Sequence, residues 1–544
     1  MTATTEERSL LRASLSPAIG TALSRVTGLG RVVALAWALG QGAVSDGYNL
    51  ANTAPNLLYE LVLGGVLSST LVPMFVPHQG ETQDDADERA SVITSVGLVV
   101  LTVITVVAVL CSPLFLDLFP SGGEGAATRT SVAEPLLYLL VPQILFYGVT
   151  SLGTALLHAR RRFAMAAYAP VATNVVTIVA VLAVPLTAGA AGKDLTNRPT
   201  LALLGLGTTA GVAAMAFLVA WGVRGSDIRL RWRPRFRDPA LREIMRLGSW
   251  TIGYVVANQV ALLVVLRLAS GLDAGAITAY QTAFIFFQLP HGLLAVSIMT
   301  STTPELARAA QAGDGPLLLR RFREGGSMLL AVMIPAAAAL MLLGHDLVEL
   351  VLQRGLFDAE DTARTGGTIV TMALGLPGFS MYLYALRVFY ARRDTKTPFL
   401  LNAGENLANI LFALVLIGSA ERGLGLAFSI AYTLAAAGSL YVVSRRVPGI
   451  LDRTWLPLAG RIAAASATSI VAMVLVQLVG GSSFDDRPFV DVATTGLVGV
   501  AAWLAAIVVL RIEGFEPIVD RFRSLAERPT DGPDDRPRRR PPTP

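Results

Sequence analysis

Two arginines, Arg25 and Arg31, interrupt an otherwise apolar stretch that runs from Leu23 to Phe75 and also carries Asp46 and Glu60. A guanidinium at lipid depth is costly, so such a group usually faces a water-filled cavity or an anionic partner. Its planar fork of donors stays charged when desolvated and matches phosphate in bidentate fashion. Anion binding is the chemistry these residues suit. Six residues turn a helix through about 600°, which leaves the two side chains roughly 120° apart. They can flank one cavity from a single helix but cannot both point the same way. Arg267 and Glu405 are further ions at span depth. Arg25 and Arg267 open the two halves of the chain and are expected to face each other across a cavity. The competing reading for the three arginines is an Arg–Glu pair that fixes helix packing. For Glu60 and Glu405, salt-bridge partner and proton or cation site both stay open. Asp46, beside a short loop, is expected at the interface, with gating as its natural role. Asn52 and Asn56 flank Pro55, where asparagines rescue backbone groups freed at a kink. Tyr48 and Tyr280 read as interface aromatics.

No catalytic constellation accompanies these ions. The four histidines (His78, His158, His291 and His345) are scattered, and none has a His or Cys at metal-ligand spacing. Cys111 is the single cysteine, so no disulfide can form within the chain. The glycine-rich segments lack the lysine that a P-loop needs. No cofactor is expected, and an ATP-driven pump is not encoded here. Any transport is left to the membrane potential, a monovalent cation or a partner.

The elements that must position these residues are membrane spans. Of 544 residues, 53% are hydrophobic and 15% charged, against about a quarter charged in a soluble domain. The expected fold is an all-α polytopic membrane protein of about fourteen helices: two six-helix lobes and two C-terminal helices. Fourteen apolar runs near the roughly 20 residues that cross a bilayer begin at about 17, 47, 91, 133, 166, 200, 247, 276, 326, 367, 398, 423, 458 and 489. The second and eighth are long and interrupted by Pro55 and Pro290, where bends are expected. With the N-terminus inside, the inner loops hold 22 Lys and Arg and the outer loops 7. That bias places both termini in the cytoplasm, and the net charge of +5 needs no nucleic acid to explain it. Gly42 to Tyr48 is echoed by Gly275 to Tyr280, and Ala159-Arg160-Arg161 by Ala391-Arg392-Arg393, at offsets of 233 and 232. Two matches at one offset, with an even number of spans between, describe copies in the same orientation. The expected organisation is a lead-in over 1–16, an N-lobe over 17–224, a basic linker over 225–246 and a C-lobe over 247–444. Two further helices span 458–511. An amphipathic segment and a proline-rich disordered tail fill 512–544, where the Arg536 to Arg540 cluster fixes topology or touches anionic lipid.

Several of these residues form a pattern. Ser24-Arg25-x5-Arg31, Gly42 to Asp46, Ala54-Pro55-Asn56-Leu57-Leu58 and Gly65 to Pro73 resemble the MurJ/MviN family of lipid II flippases. Ala159-Arg160-x-Arg162-Phe163 through Pro170 and Asn174, Arg267-x-Ala269-Ser270, Pro290 to Pro304, Arg354-Gly355-x-Phe357 and Phe389 to Pro398 resemble it too. The resemblance covers about 17–510. It implies the multidrug/oligosaccharidyl-lipid/polysaccharide exporter fold in a bacterial cytoplasmic membrane. It also implies passage of an undecaprenyl-pyrophosphate-linked peptidoglycan precursor from inner to outer leaflet by alternating access. Arg25, Arg31 and Arg267 would hold the pyrophosphate, and membrane potential would aid the cycle. Implied partners are lipid II or a related glycolipid, membrane lipids, and cell-wall synthesis or division proteins. The chain also departs from the family. Tyr59 and Glu60 stand where paired arginines are common, Gly64 replaces an acidic residue and Ile285 an arginine, and Leu266 replaces the aspartate of a sodium site. Those departures keep alternatives open: another polyprenyl-linked glycan, a drug antiporter of the same superfamily, or a non-transporting scaffold.

Overall fold

The computed structural model describes residues 5–60, 71–76, 81–120, 123, 125–188, 194–484 and 487–516, with side chains except at 5–15, 17, 18, 240, 242–249 and 482. Gly64, residues 65–70 of the Gly65 to Pro73 motif and the tail with Arg536 to Arg540 lie outside the described residues. Helix α1 (Thr5–Leu39) is followed by α2 (Ala43–Tyr59), α3 (Val72–Phe75), α4 (Gln83–Leu110), α5 (Ser112–Leu116), α6 (Ala126–Leu140), α7 (Gln143–Ala159), α8 (Phe163–Leu182) and α9 (Arg198–Arg224). The second half comprises α10 (Pro239–Ala269), α11 (Ala276–Pro290), α12 (Val296–Gln311), α13 (Gly315–Leu352), α14 (Ala359–Ala373), α15 (Leu376–Ala391), α16 (Lys396–Leu416) and α17 (Ala420–Arg446). Helices α18 (Trp455–Gly480) and α19 (Pro488–Leu510) pair with each other and pack on α13. The end of the bundle at which α1 starts is called near, and the end at which it stops is called far.

Among the described residues ten helical runs are long and apolar enough to cross a bilayer, or twelve with two bent pairs counted as one span each. The expected fourteen is not reached by this measure for two reasons. Helix α2 is only 17 residues long before the described residues stop at Glu60. The run Lys396–Arg446 counts once although it holds both α16 and α17. The lead-in is continuous with the first span, because α1 is helical from Thr5. Its Glu, Arg, Leu and Ala are good helix formers, and the first left-handed residue after it is Gly40.

The repeat is visible in the backbone. Helices α2 and α11 start at Ala43 and Ala276, and α8 and α16 at Phe163 and Lys396, each pair 233 residues apart. Helices α6 and α7 meet at a 44° bend, and their counterparts α14 and α15 at 47°. Pro142 and Pro377 sit at these bends and remove a backbone donor there. Arg161 and Arg393 both take the left-handed conformation (φ 56° and 59°), each closing a helix. The amide after each bonds five residues back, Arg162 to Leu157 at 2.8 Å and Asp394 to Phe389 at 2.9 Å. That Schellman-type ending leads straight into the next helix.

Bends at the two predicted prolines came out differently. At Pro290 the chain forms a π-helical turn, His291–Ala295, between α11 and α12. At Pro55 helix α2 continues to Tyr59, held along its length against α6. Among the described residues neither Asn52 nor Asn56 bonds backbone there: Asn52 Oδ1 is buried without a partner, and Asn56 opens on a cavity.

Asp394, in the near-end turn before α16, accepts hydrogen bonds from the Thr397 hydroxyl (2.6 Å) and amide (3.0 Å) and from Arg446. Burial pushes its carboxyl up, but those bonds outweigh it and hold the group below the usual carboxylate range. A depressed folded-state value stabilises above the unfolded value and is lost as pH falls through the folded one. Asp394→Asn is therefore expected to cost about 1 kcal/mol at pH 7. The gap to the parent protein should close below about pH 4, as thermal unfolding in detergent would show.

Candidate functional site

The two halves are tied together at the far end by buried polar contacts. Asp46, 1% exposed, sits at the start of α2 and aims its carboxylate at the N-terminus of α11. It accepts the Gly275 amide (2.8 Å), the Thr278 amide (2.8 Å) and the Thr278 hydroxyl (2.7 Å). A carboxylate suits that place because helix N-termini present unpaired N–H groups and a positive dipole end. Gly275 has φ 95°, and a Cβ there would lie 2.6 Å from the Gln41 carbonyl, so only glycine allows the approach. Gln41 in turn donates its amide to Asp361 (3.1 Å) and accepts from Thr365 (2.6 Å). Arg129 caps the Ser270 carbonyl at 2.8 Å. Arg364 bridges Glu421 (2.8 Å) and the Ala274 carbonyl (2.7 Å).

Behind this lock lies a chamber of about 560 Å³ between α2 of the first half and α10, α11, α15, α16 and α17 of the second. Its wall is rich in amides and aromatics, among them Asn56, Asn258, Gln281, Asn406, Tyr254 and Tyr432. Glu60, which opens on this chamber, is its one described charged residue. Asn258 Oδ1 accepts from Asn402 (3.0 Å) and Asn406 (2.9 Å), which fixes three amides across α10 and α16. Just behind them Glu405 is 3% exposed. Neither of its oxygens has a hydrogen-bond partner among the described residues, and Tyr432 is its polar neighbour. A buried carboxylate with no cation beside it can take up a proton or a small cation.

The three arginines singled out in sequence are not brought together, and none lines this chamber among its described residues. Arg25 is exposed and donates to the Gly292 carbonyl at 3.4 Å, where α1 meets the π-helical turn. A Cβ on Gly292 would lie 2.8 Å from that guanidinium. Arg31, half-buried, makes no ion pair or hydrogen bond among the described residues, and its electrostatic neighbours are Tyr48 and Tyr147 inside the first half. Arg267 is exposed in the last turn of α10 and donates to the Leu118 carbonyl. It does not face Arg25: the two lie 14 and 2 residues from their helix ends at the far side, about 18 Å apart in depth. Arg–Glu pairing is absent as well, since no described carboxylate bridges any of the three. Because Arg267 ties helix α10 to the α5 region, Arg267→Ala is expected to lower the yield of folded protein. A loss of about 1 kcal/mol, with turnover per folded molecule unchanged, would show in detergent-stability and transport assays run side by side.

Residues 35–518 match the sequence profile of a family described as lipid II flippase MurJ. The chain belongs to the MurJ family. Among its relatives are a probable lipid II flippase MurJ of Rhizobium tropici, 31% identical over 78% of this chain and 79% of that one. Another, from Thermotoga maritima, is 27% identical over 94% and 99%. A solved lipid II flippase MurJ in an inward closed conformation superposes with a TM-score of 0.74 at 22% identity, covering 92% of this chain and 99% of that one. An inward-facing multidrug-resistance MATE transporter of the MOP superfamily superposes at 0.64 and 15% identity, over 78% and 95%. The family is one of transporters and not of enzymes, and the MATE likeness shows a shared fold.

The departures from the MurJ pattern now have places. Tyr59 stacks near Tyr147, ring centres 5.1 Å apart, and bonds Ser151 at 3.0 Å. Ile285 borders the chamber. Leu266 is fully buried among apolar neighbours, where it can ligate nothing. Tyr48 and Tyr280, expected at the interface, are buried instead, Tyr48 bonding Thr208 at 3.0 Å. Sequence reasoning missed the amide wall, whose signal is Asn402, Glu405, Asn406 and Asn409 on one stripe of an apolar helix (i, i+3, i+4, i+7). It also counted Arg129 and Arg364 only as loop charges.

Proposed function

We propose that this chain carries lipid II from the inner to the outer leaflet of the bacterial cytoplasmic membrane by alternating access. The observation that carries the reading is the contrast between its ends. The far end is held by many buried polar contacts between halves. Nearer the other end, Arg25 to Gly292 is the single described hydrogen bond between α1–α9 and α10–α17. Polar contacts of that kind can be exchanged for water, which suits a gate better than an apolar seal. The near end, where α1 starts and α19 stops, is then cytoplasmic, in keeping with the 22 to 7 bias of basic residues. The lobes 17–224 and 247–444 would rock about the chamber. Amides and aromatic faces suit a sugar-peptide head group, which offers hydroxyls, amides and apolar ring faces. Arg25 and Arg31, unneutralised by carboxylates, would meet the pyrophosphate, with the polyprenyl tail left in lipid. Glu405 and the membrane potential would drive the return, and cell-wall synthesis proteins would receive the cargo beyond the far end. Another polyprenyl-linked glycan is the second reading, favoured by the lack of arginine in the described chamber wall.

The test is leaflet accessibility of lipid II in cells depleted of their own flippase and carrying this chain. Recovery of outer-leaflet lipid II is expected, with loss of recovery when an ionophore collapses the potential. Lipid II that stays inside despite full expression would rule out this cargo.

A further inference from the structure

The segment between α9 and α10 is built as more than a tether. Residues 227–238 read D-I-R-L-R-W-R-P-R-F-R-D, with arginine at every second position from Arg229 to Arg237. Over the extended residues 229–233 alternate side chains take opposite sides, so one edge is cationic and the other carries Leu230 and Trp232. A turn closed by the Asp238 amide on the Arg235 carbonyl (3.3 Å) carries Phe236 and Arg237. The structure lays this strand along α4. The amides of Arg229, Arg231 and Arg233 donate to Asp87 (3.0 Å), Ser91 (3.0 Å) and Ser95 (2.9 Å). Ser91 and Ser95 reach back to the Arg229 and Arg231 carbonyls (3.5 and 3.4 Å). The match is geometric: two strand residues advance about 6.6 Å and four helical residues about 6.0 Å.

That register leaves Leu230 39%, Trp232 65% and Phe236 58% exposed. Arg233 and Arg235 share Glu88 (2.6 and 2.9 Å). The guanidinium groups of Arg229, Arg231 and Arg237 have no partner among the described residues. Immediately beyond Ser95, α4 turns an apolar surface outward through Val100, Val103, Val106 and Val107. The strand thus ends where the lipid-facing surface starts, the level at which Trp and Arg settle together. Charges that served topology alone would need neither alternation with aromatics nor a pinned backbone.

We infer that residues 229–237 form a docking strip for anionic phospholipids of the bilayer. Leu230, Trp232 and Phe236 enter the head-group layer, while Arg229, Arg231 and Arg237 bind lipid phosphates. The strip clamps α4 to the membrane surface at the point where the chain passes to α10. The occupant is resident lipid and not transported cargo, because the strand lies on α4 at the near end and lines no part of the chamber. Neighbouring free guanidiniums, about 6.6 Å apart, also span more than one phosphate. This holds whichever cargo is carried.

The experiment compares the full-length protein in detergent with an Arg229→Gln/Arg231→Gln/Arg237→Gln variant, both titrated with phosphatidylglycerol, phosphatidylcholine and undecaprenyl pyrophosphate and read by native mass spectrometry. A surface arginine contributes about fivefold to anionic-lipid binding, so the variant should bind phosphatidylglycerol roughly 100-fold more weakly. Phosphatidylcholine and undecaprenyl pyrophosphate binding should not change. An Arg→Lys triple variant, which keeps the charge, should bind phosphatidylglycerol like the parent and controls for folding. Equal phosphatidylglycerol binding in parent and Gln variant overturns the inference, as does a selective loss of undecaprenyl pyrophosphate, which would put the strip on the cargo's route.

Discussion

Replacing Asp46 by alanine is expected to unlock the far end and stop net flipping. Its carboxylate accepts two backbone amides and a hydroxyl across the two halves, all buried. Removing it leaves the Gly275 and Thr278 amides without an acceptor in the closed state, whereas water reaches them once the halves part. At about 1.5–3 kcal/mol for a hydrogen bond to a charged group, one such loss moves the ratio of closed to open molecules roughly 10–100-fold. Net transport fails because alternating access needs both states to be populated. Asp46→Asn should behave similarly, since an amide oxygen carries no net charge and its NH2 would meet the same donors. Thiol labelling separates unlocking from unfolding. In a Cys111→Ser background, a cysteine introduced as Thr53→Cys lies in the chamber wall and should be shielded from an impermeant maleimide added at the far side. With Asp46→Ala it should label rapidly. Unchanged labelling and unchanged flipping together would count against the lock.

Asp46, expected at the interface, is instead buried at the helix start, and the facing of the arginines was no better legible; both are matters of register. Gly42 to Asp46 carries its own local evidence: a short loop, a glycine-bounded helix start and an echo at Gly275. A side chain's depth and facing depend on where its helix begins and which neighbours surround it, and one helix cannot report those. The repeat did contain a warning. An offset of 233 aligns Arg25 with Asn258, in the chamber wall, and Arg267 with Ala34, in the apolar core. Read through the repeat, Arg25 and Arg267 could never have been counterparts. The all-helical, many-span character came from hydropathy, which is summed over many residues and forgives local error. The bends did not, since Pro55 is absorbed by packing against α6 while Pro142 and Pro377 mark real breaks. The amide wall stayed hidden because asparagine at lipid depth has a bland use, backbone rescue. Only tertiary placement shows Asn258, Asn402 and Asn406 bonding one another.

Arg31→Ala is the second change expected to abolish transport, with no penalty in folding. Arg31 is a half-buried cation without a hydrogen bond or counter-ion among the described residues, so it is a desolvation cost and not a tether. Removing a structural arginine destabilises by orphaning its partners, and Arg31 has none to orphan. A loss of flipping without loss of folded protein therefore isolates a role toward a ligand. Pyrophosphate would supply the missing anion, and a bidentate contact at a partly dry site contributes about 1.5–3 kcal/mol. Cargo affinity should fall roughly 10–100-fold in direct binding of undecaprenyl pyrophosphate to the detergent-solubilised chain. Arg31→Lys keeps the charge but loses the planar fork, and should recover only part of it. Arg25→Ala gives the contrast. Arg25 already holds the Gly292 carbonyl at the α1 seam, so its loss should weaken both cargo binding and closure of that seam. If Arg31→Ala bound undecaprenyl pyrophosphate as tightly as the parent, the cation would have to serve the tyrosines around it, and the cargo's charge would have to be met elsewhere.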